Sequence, residues 1–287
     1  MLRRVFLSLG AAGILGYGGL IGWFRLNETS LVFQPNGYGG RVQVPVADSL
    51  GLNLTQLEIP SSDGAKLATW IVRSADGTGP WLLFCHGNAG NISLLKRQRF
   101  YHDLASRGFN MVAFDYRGFG SSSDGPLTEQ GLYDDANAVY QYLRTQLRVP
   151  PERIVIYGHS LGGGVAVQLA TTAPSAGLII EGTFRSVPAV GQERYRFVPI
   201  EQLAVNRFDN AAKIGKVTVP ILVMHARADQ TIPFGHSEAL FQLARSPKRF
   251  VALGGDHDSA WELDHATYIE AFTSFVSQVA SHPGESK

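Results

Sequence analysis

The sequence predicts an α/β protein with a doubly wound, mostly parallel sheet, and three patterns predict it. From residue 80 onward, short apolar runs alternate with amphipathic segments, as strands buried on both faces between helices would. Two β-rich runs, 54–59 and 67–72, flank Ser61-Ser62-Asp63-Gly64, and an Asp-Gly turn between such runs reads as a hairpin. Finally, Val155-Ile156-Tyr157-Gly158-His159-Ser160-Leu161-Gly162-Gly163 passes from strand through a sharp turn into helix, with a serine at the turn.

The chain begins with Arg3-Arg4, followed by an uncharged stretch, 5–24, rich in glycine. Twenty helical residues rise about 30 Å, enough to cross a hydrocarbon core. Residues 1–26 are therefore expected to form a transmembrane signal anchor, with Trp23 and Phe24 at its far end and no A-x-A cleavage site after it. Secretion after signal cleavage is the alternative, and Arg3-Arg4-Val5-Phe6-Leu7 also fits a twin-arginine signal. Arginines before the span point the remaining chain away from the cytoplasm.

Residues 27–53, with Pro35 and Pro45, read as a connector, and 54–280 as one catalytic domain. Strands are expected at 81–85, 110–114, 153–157, 177–181, 220–224 and 248–253. Helices are expected near 93–107, 128–146, 161–172, 235–245 and 260–279. A tail, 281–287, reads as disordered. The 32 glycines of the 287 residues suit many tight βα turns. A net charge of +1 with no dense Lys/Arg block argues against a nucleic-acid partner. The single Cys85 lies in an apolar run and reads as a buried structural thiol.

A serine hydroxyl is a weak nucleophile until a base takes its proton, and the base needs an orienting acid. In such a sheet, ligands gather at the carboxyl ends of strands. Asp229 follows the run 221–224 and His257 follows 248–253, so Ser160, Asp229 and His257 stand in the required order. His225, His236 and His265 are less well placed, and Asp256 and Asp258 are too near His257 in sequence to reach its Nδ1. An oxyanion would be held by backbone amides: Leu161, directly after the serine, and Asn88, in the loop opened by His86-Gly87. His86 is expected to brace that loop. No cofactor or metal is called for.

These motifs, with Asp115-Tyr116-Arg117-Gly118-Phe119-Gly120-Ser121-Ser122, resemble the α/β-hydrolase superfamily from about Leu54 to Val279. Phe84-Cys85-His86-Gly87-Asn88-Ala89-Gly90-Asn91 and Arg207-Phe208-Asp209-Asn210 are similar to a membrane-anchored subgroup that includes protein-depalmitoylase relatives. The resemblance implies an α/β-hydrolase fold, a short lid at about 185–216, and Asp115 and Arg117 supporting turns rather than chemistry. It implies a serine hydrolase acting on a small acyl ester, a thioester or a lipidated substrate, with a membrane reached through the N-terminal helix. A peptidase or amidase using the same triad is the rival. A non-catalytic membrane-associated binding protein is the reading of another class, and it would be expected to have lost a triad residue. The lid arginines Arg185, Arg194, Arg196 and Arg207 fit an acidic leaving group or simple solvation.

Overall fold

A computed structural model describes residues 2–39, 42 and 50–280, and of 2–12 the backbone alone. Helix α1 spans Leu2–Val32. The hairpin β1 (Asn53–Pro60) and β2 (Lys66–Arg73) follows. Then come β3 (Trp81–Cys85), α2 (Leu95–Ser106), β4 (Asn110–Phe114), α3 (Glu129–Thr145), β5 (Ile154–His159) and α4 (Leu161–Ala170). After β6 (Gly177–Glu181) lie three short helices, α5 (Val187–Arg194), α6 (Ile200–Leu203) and α7 (Asn210–Lys213). The chain closes with β7 (Ile221–Ala226), α8 (Gly235–Leu243), β8 (Lys248–Leu253), α9 (Ala260–Leu263) and α10 (His265–Ala280).

The eight described strands form one sheet in the order β1-β2-β4-β3-β5-β6-β7-β8. Pairing is antiparallel from β1 through β2 to β4 and parallel from there on. The apolar strands are explained by alternation: Leu83, Ile156, Ile180 and Val223 face a core under α3 and α4. Leu82, Val155, Ile179 and Leu222 face the opposite core, under α2 and α10. With helices on both faces, β3, β5, β6 and β7 are apolar along most of their length, with the polar His159, Glu181 and His225 at or beside the carboxyl ends. Strand order reverses around β3, which pairs with both β4 and β5, so the loops after β3 and β5 open the crevice at the switch point. Cys85 lies inside β3, fully buried, and burial pushes its thiol pKa up.

The N-terminal expectation needs correction. The expected boundary between anchor and connector at 26–27 is absent, because α1 runs through it to Val32. Its second half is docked on the domain: the Tyr17 hydroxyl donates to the Phe197 carbonyl (2.8 Å), and Glu28 Oε1 accepts from the Val205 and Asn206 amides (2.7 Å each). Phe33, just past the helix, is buried in the core against Phe208. With Tyr17 onward committed to the domain, the apolar residues 5–16 rise only about 18 Å, short of the roughly 30 Å of a hydrocarbon core. Among the described residues no helix is long and apolar enough to cross a membrane. The rest of the expected connector, apart from Val42 and the segment from residue 50, and the tail 281–287 lie outside the described residues.

Candidate active site

Ser160 joins β5 to α4 with φ 54° and ψ −121°, left-handed backbone that a serine adopts only when the surroundings impose it. They do so on both sides. Its N–H donates to the Glu181 carbonyl (2.9 Å), and its own carbonyl accepts from Thr183 Oγ1 (2.8 Å). The two flanking glycines are required by close approach. A Cβ on Gly162 would lie 2.0 Å from the Cys85 carbonyl oxygen, and one on Gly158 2.3 Å from the Gly162 carbonyl oxygen. Gly162→Ala is therefore expected to destabilise the fold by about 2–3 kcal/mol, read as a lower thermal midpoint. Gly235→Ala, whose Cβ meets nothing within 4 Å, is the control expected to stay at or above wild type.

The three predicted side chains meet above this turn. Ser160 Oγ lies 2.9 Å from His257 Nε2, and His257 Nδ1 lies 2.6 Å from Asp229 Oδ2. The Asp229 carboxylate is buried, yet its pKa falls well below the usual range. Burial alone would raise it, but hydrogen bonds from His225, His257 and the Ile232 amide outweigh that cost. An ionised Asp229 can only accept, so His257 Nδ1 carries the proton and Nε2 is free to accept from the Ser160 hydroxyl. Burial disfavours charge on His257, but the hydrogen bond to Asp229 and its negative charge win, and the imidazole pKa rises above the usual 6.5.

Sequence reasoning set His225 aside, yet it holds the Asp229 carboxylate. His225 Nε2 faces two acceptors, the Ile232 carbonyl (2.9 Å) and Asp229 Oδ2 (3.0 Å), so it must carry hydrogen, while Nδ1 lies 2.6 Å from the Ser237 hydroxyl oxygen. The other carboxylate oxygen, Oδ1, accepts from the Thr231 and Ile232 amides (2.8 Å each). The one available signal was a histidine closing β7 four residues before the aspartate. Asp258 takes no part in the relay; its Oδ2 accepts from the Tyr38 hydroxyl at 2.6 Å. Asp256 caps the turn at Ser259.

Asn88 and Leu161 both line the cavity that holds Ser160 and His257. Leu161 opens α4, where the first N–H groups have no intrahelical acceptor. The loop 86–91 is held in place from several directions. Gly87 packs against Ser160, where an added Cβ would come within 3.2 Å of the serine Cβ. Arg97 donates to the Asn91 and Ala89 carbonyls (2.7 and 3.1 Å). His86 is fully buried with Nδ1 2.7 Å from the Gly87 carbonyl, so it braces the loop as expected. Asp115 accepts from the Ile92 amide (2.7 Å), and Arg117 pairs with Asp135 and Asp63, so both support turns.

The cavity measures about 440 Å³, within the usual range for small-molecule sites. Its lining includes the apolar Phe184 after β6, Val187 and Val190 of α5 and Leu203 of α6, and the polar or charged Arg97, Tyr38, Asp258 and Glu28. The short lid at 185–216 is present as α5–α7. The cavity also has a wall that sequence reasoning missed, since Phe24, Glu28, Leu31 and Val32 of α1 line it. Of the lid arginines, Arg185 and Arg207 pair with Glu193 and Glu201 at the surface, and only Arg194 reaches the cavity wall.

A serine at a strained strand-to-helix turn beside the sheet's switch point, with an aspartate and a histidine that reach it from the ends of later strands, is the arrangement of the α/β-hydrolase class. The alpha/beta hydrolase fold family matches residues 80–213. The chain belongs to that family. It is 35% identical over 220 residues to human alpha/beta hydrolase domain-containing protein 17B, covering 76% of this chain and 73% of that one. An uncharacterized protein of Mycobacterium tuberculosis is 33% identical over 264 residues, covering 91% and 92%. Among solved structures, a Pyrococcus furiosus esterase superposes with a TM-score of 0.70 at 16% identity, covering 84% of this chain and 97% of its own. An Exiguobacterium antarcticum esterase gives 0.62 at 19%, covering 78% and 100%. At those identities the likeness to the esterases is one of fold.

Proposed function

We propose that this chain is a serine hydrolase that cleaves carboxylic esters or thioesters through an acyl-enzyme. The observation that carries the proposal is the unbroken relay from Asp229 through His257 to Ser160 at 2.6 and 2.9 Å, opening on a half-apolar cavity. Ser160 Oγ attacks the acyl carbonyl as its proton passes to His257 Nε2. Negative charge then grows on the carbonyl oxygen, and the Asn88 and Leu161 amides stabilise it; one such donor is worth about 2.7–4 kcal/mol in a well-studied hydrolase. Collapse expels the alcohol or thiol, which takes the proton from His257. Water, deprotonated by the same imidazole, releases the acid and restores Ser160. The apolar lining and the resemblance to a subgroup containing protein-depalmitoylase relatives support an acyl chain, free or on a lipidated protein, as the group transferred.

Turnover of matched acyl p-nitrophenyl ester, acyl thioester and aminoacyl amide substrates tests this. Ester and thioester should be hydrolysed above the Ser160→Ala background and the amide should not. Amide turnover exceeding both would give the site to a peptidase. Hydrolysis of none would favour a binding protein.

The location carries over as part of the same proposal: the chain is held at a membrane by its N-terminal helix, with the catalytic domain on the extracytoplasmic side. Support comes from the uncharged run 5–16 behind Arg3-Arg4 and from Ile14, Leu15, Trp23 and Leu26, all exposed on α1. The full chain is expected to sediment with membranes. Release by carbonate is then expected, as for a helix lying in the interface. Recovery of the full chain in the soluble fraction would contradict membrane attachment.

A further inference from the structure

Positions 24, 28, 31 and 32 of α1 fall on one helix face, and it is this face that lines the cavity. Phe24 is only 8% exposed while its neighbour Trp23 is 50% exposed, so the buried ring belongs to the domain rather than to the helix surface. It meets Tyr195 of the lid edge-on, with centroids 4.8 Å apart and planes at 68°. Contacts on both sides fix the helix there: Tyr17 to the Phe197 carbonyl, and Glu28 to the amides of Val205 and Asn206. Arg97, Tyr38 and Asp258 give the cavity lining a polar group suited to a leaving group, with Tyr38 bonded to Asp258 at 2.6 Å, and the Phe24–Tyr195 pair contributes aromatic lining from α1 and the lid.

We propose that Phe24, backed by Tyr195, is a specificity-determining residue that ends the acyl-binding arm of this cavity and sets the chain length accepted. The proposal rests on the ester or thioester hydrolase reading. It also gives α1 a part in substrate selection distinct from any part in membrane attachment. An acyl chain long enough to reach the ring must displace it or stop short of it. Each further methylene that can be buried is worth about fourfold in kcat/KM.

The test is the kcat/KM profile of the full chain on p-nitrophenyl esters of increasing acyl length, for wild type, Phe24→Ala, Phe24→Trp and Tyr195→Ala. Phe24→Ala and Tyr195→Ala are expected to move the optimum to longer chains, raising the long-to-short ratio at least about tenfold. Phe24→Trp is expected to move it to shorter ones, so the inference stays testable if the alanine variant fails to fold. Because the two aromatic rings close one wall, the double alanine variant should fall short of the product of the single effects. Profiles of Phe24→Trp and Tyr195→Ala that superimpose on wild type would overturn the inference while leaving the hydrolase reading intact. Failure of wild type to hydrolyse any of the esters or to label with a fluorophosphonate would overturn both.

Discussion

Replacing Ser160 by alanine is expected to cut ester turnover at least ~10³-fold while leaving the fold in place. The change removes one oxygen. The backbone bonds that hold the strained turn, from the Ser160 amide to Glu181 and from Thr183 to the Ser160 carbonyl, involve no side-chain atom of Ser160. Alanine therefore meets the same φ and ψ demand with the same hydrogen bonds. What disappears is the hydroxyl that His257 Nε2 contacts, at 2.9 Å. Residual hydrolysis would come from the two amides and the cavity, acting on water in place of serine. Thermal unfolding beside the assay separates loss of chemistry from loss of fold. Turnover near wild type in a folded Ser160→Ala protein would place the nucleophile elsewhere.

Asp229→Asn is expected to lower kcat by roughly 10³–10⁴-fold, in line with loss of the acid in a well-studied serine protease. No orientation of the amide suits the site. Oδ1 receives the Thr231 and Ile232 amides, and Oδ2 receives His225 and His257, so an NH₂ group on either side faces donors. The least costly response is for His257 to give up its Nδ1 proton and carry one on Nε2, where it can no longer accept from Ser160. The pH dependence gives a second reading. Catalysis needs neutral His257, so kcat/KM of wild type should rise with pH through a midpoint above the usual 6.5, because Asp229 favours the charged imidazole. Without that charge, burial is the largest remaining influence, and it disfavours protonation. The midpoint of the residual activity should therefore move down. An unmoved midpoint would mean that Asp229 does not set the basicity of His257.

Much of the sheet could be read from the sequence because burial on both faces leaves a continuous mark. The runs 81–85, 110–114, 177–181 and 248–253 coincide with β3, β4, β6 and β8. Ser160, Asp229 and His257 could be found because each follows a strand that periodicity alone defines. The misses share a different cause. After residue 24 the chain reads Arg25-Leu26-Asn27-Glu28-Thr29-Ser30, polar enough to suggest a connector. It remains helical because Glu28 binds lid amides and Leu31 and Val32 face the cavity, contacts that exist only in the folded molecule. His225 was set aside for the same reason. Its contact with Asp229 depends on the turn after β7, where the Asp229 amide donates to the Ala226 carbonyl and reverses the chain. The single helix expected over 260–279 breaks at Asp264, whose carboxylate accepts from the Gly254 amide at 2.8 Å. In each case a polar contact that only the folded chain makes overrode a local pattern.

The central claim is an acyl-enzyme on Ser160. The most direct measurement is to mix the full chain with an acyl p-nitrophenyl ester, quench in acid during the first turnovers, and locate any added acyl mass by peptide mass spectrometry. The account predicts a burst of p-nitrophenol matched by one acyl group on the peptide carrying Ser160, absent from Ser160→Ala. Steady turnover with no burst and no adduct, or an adduct on another residue, would contradict it.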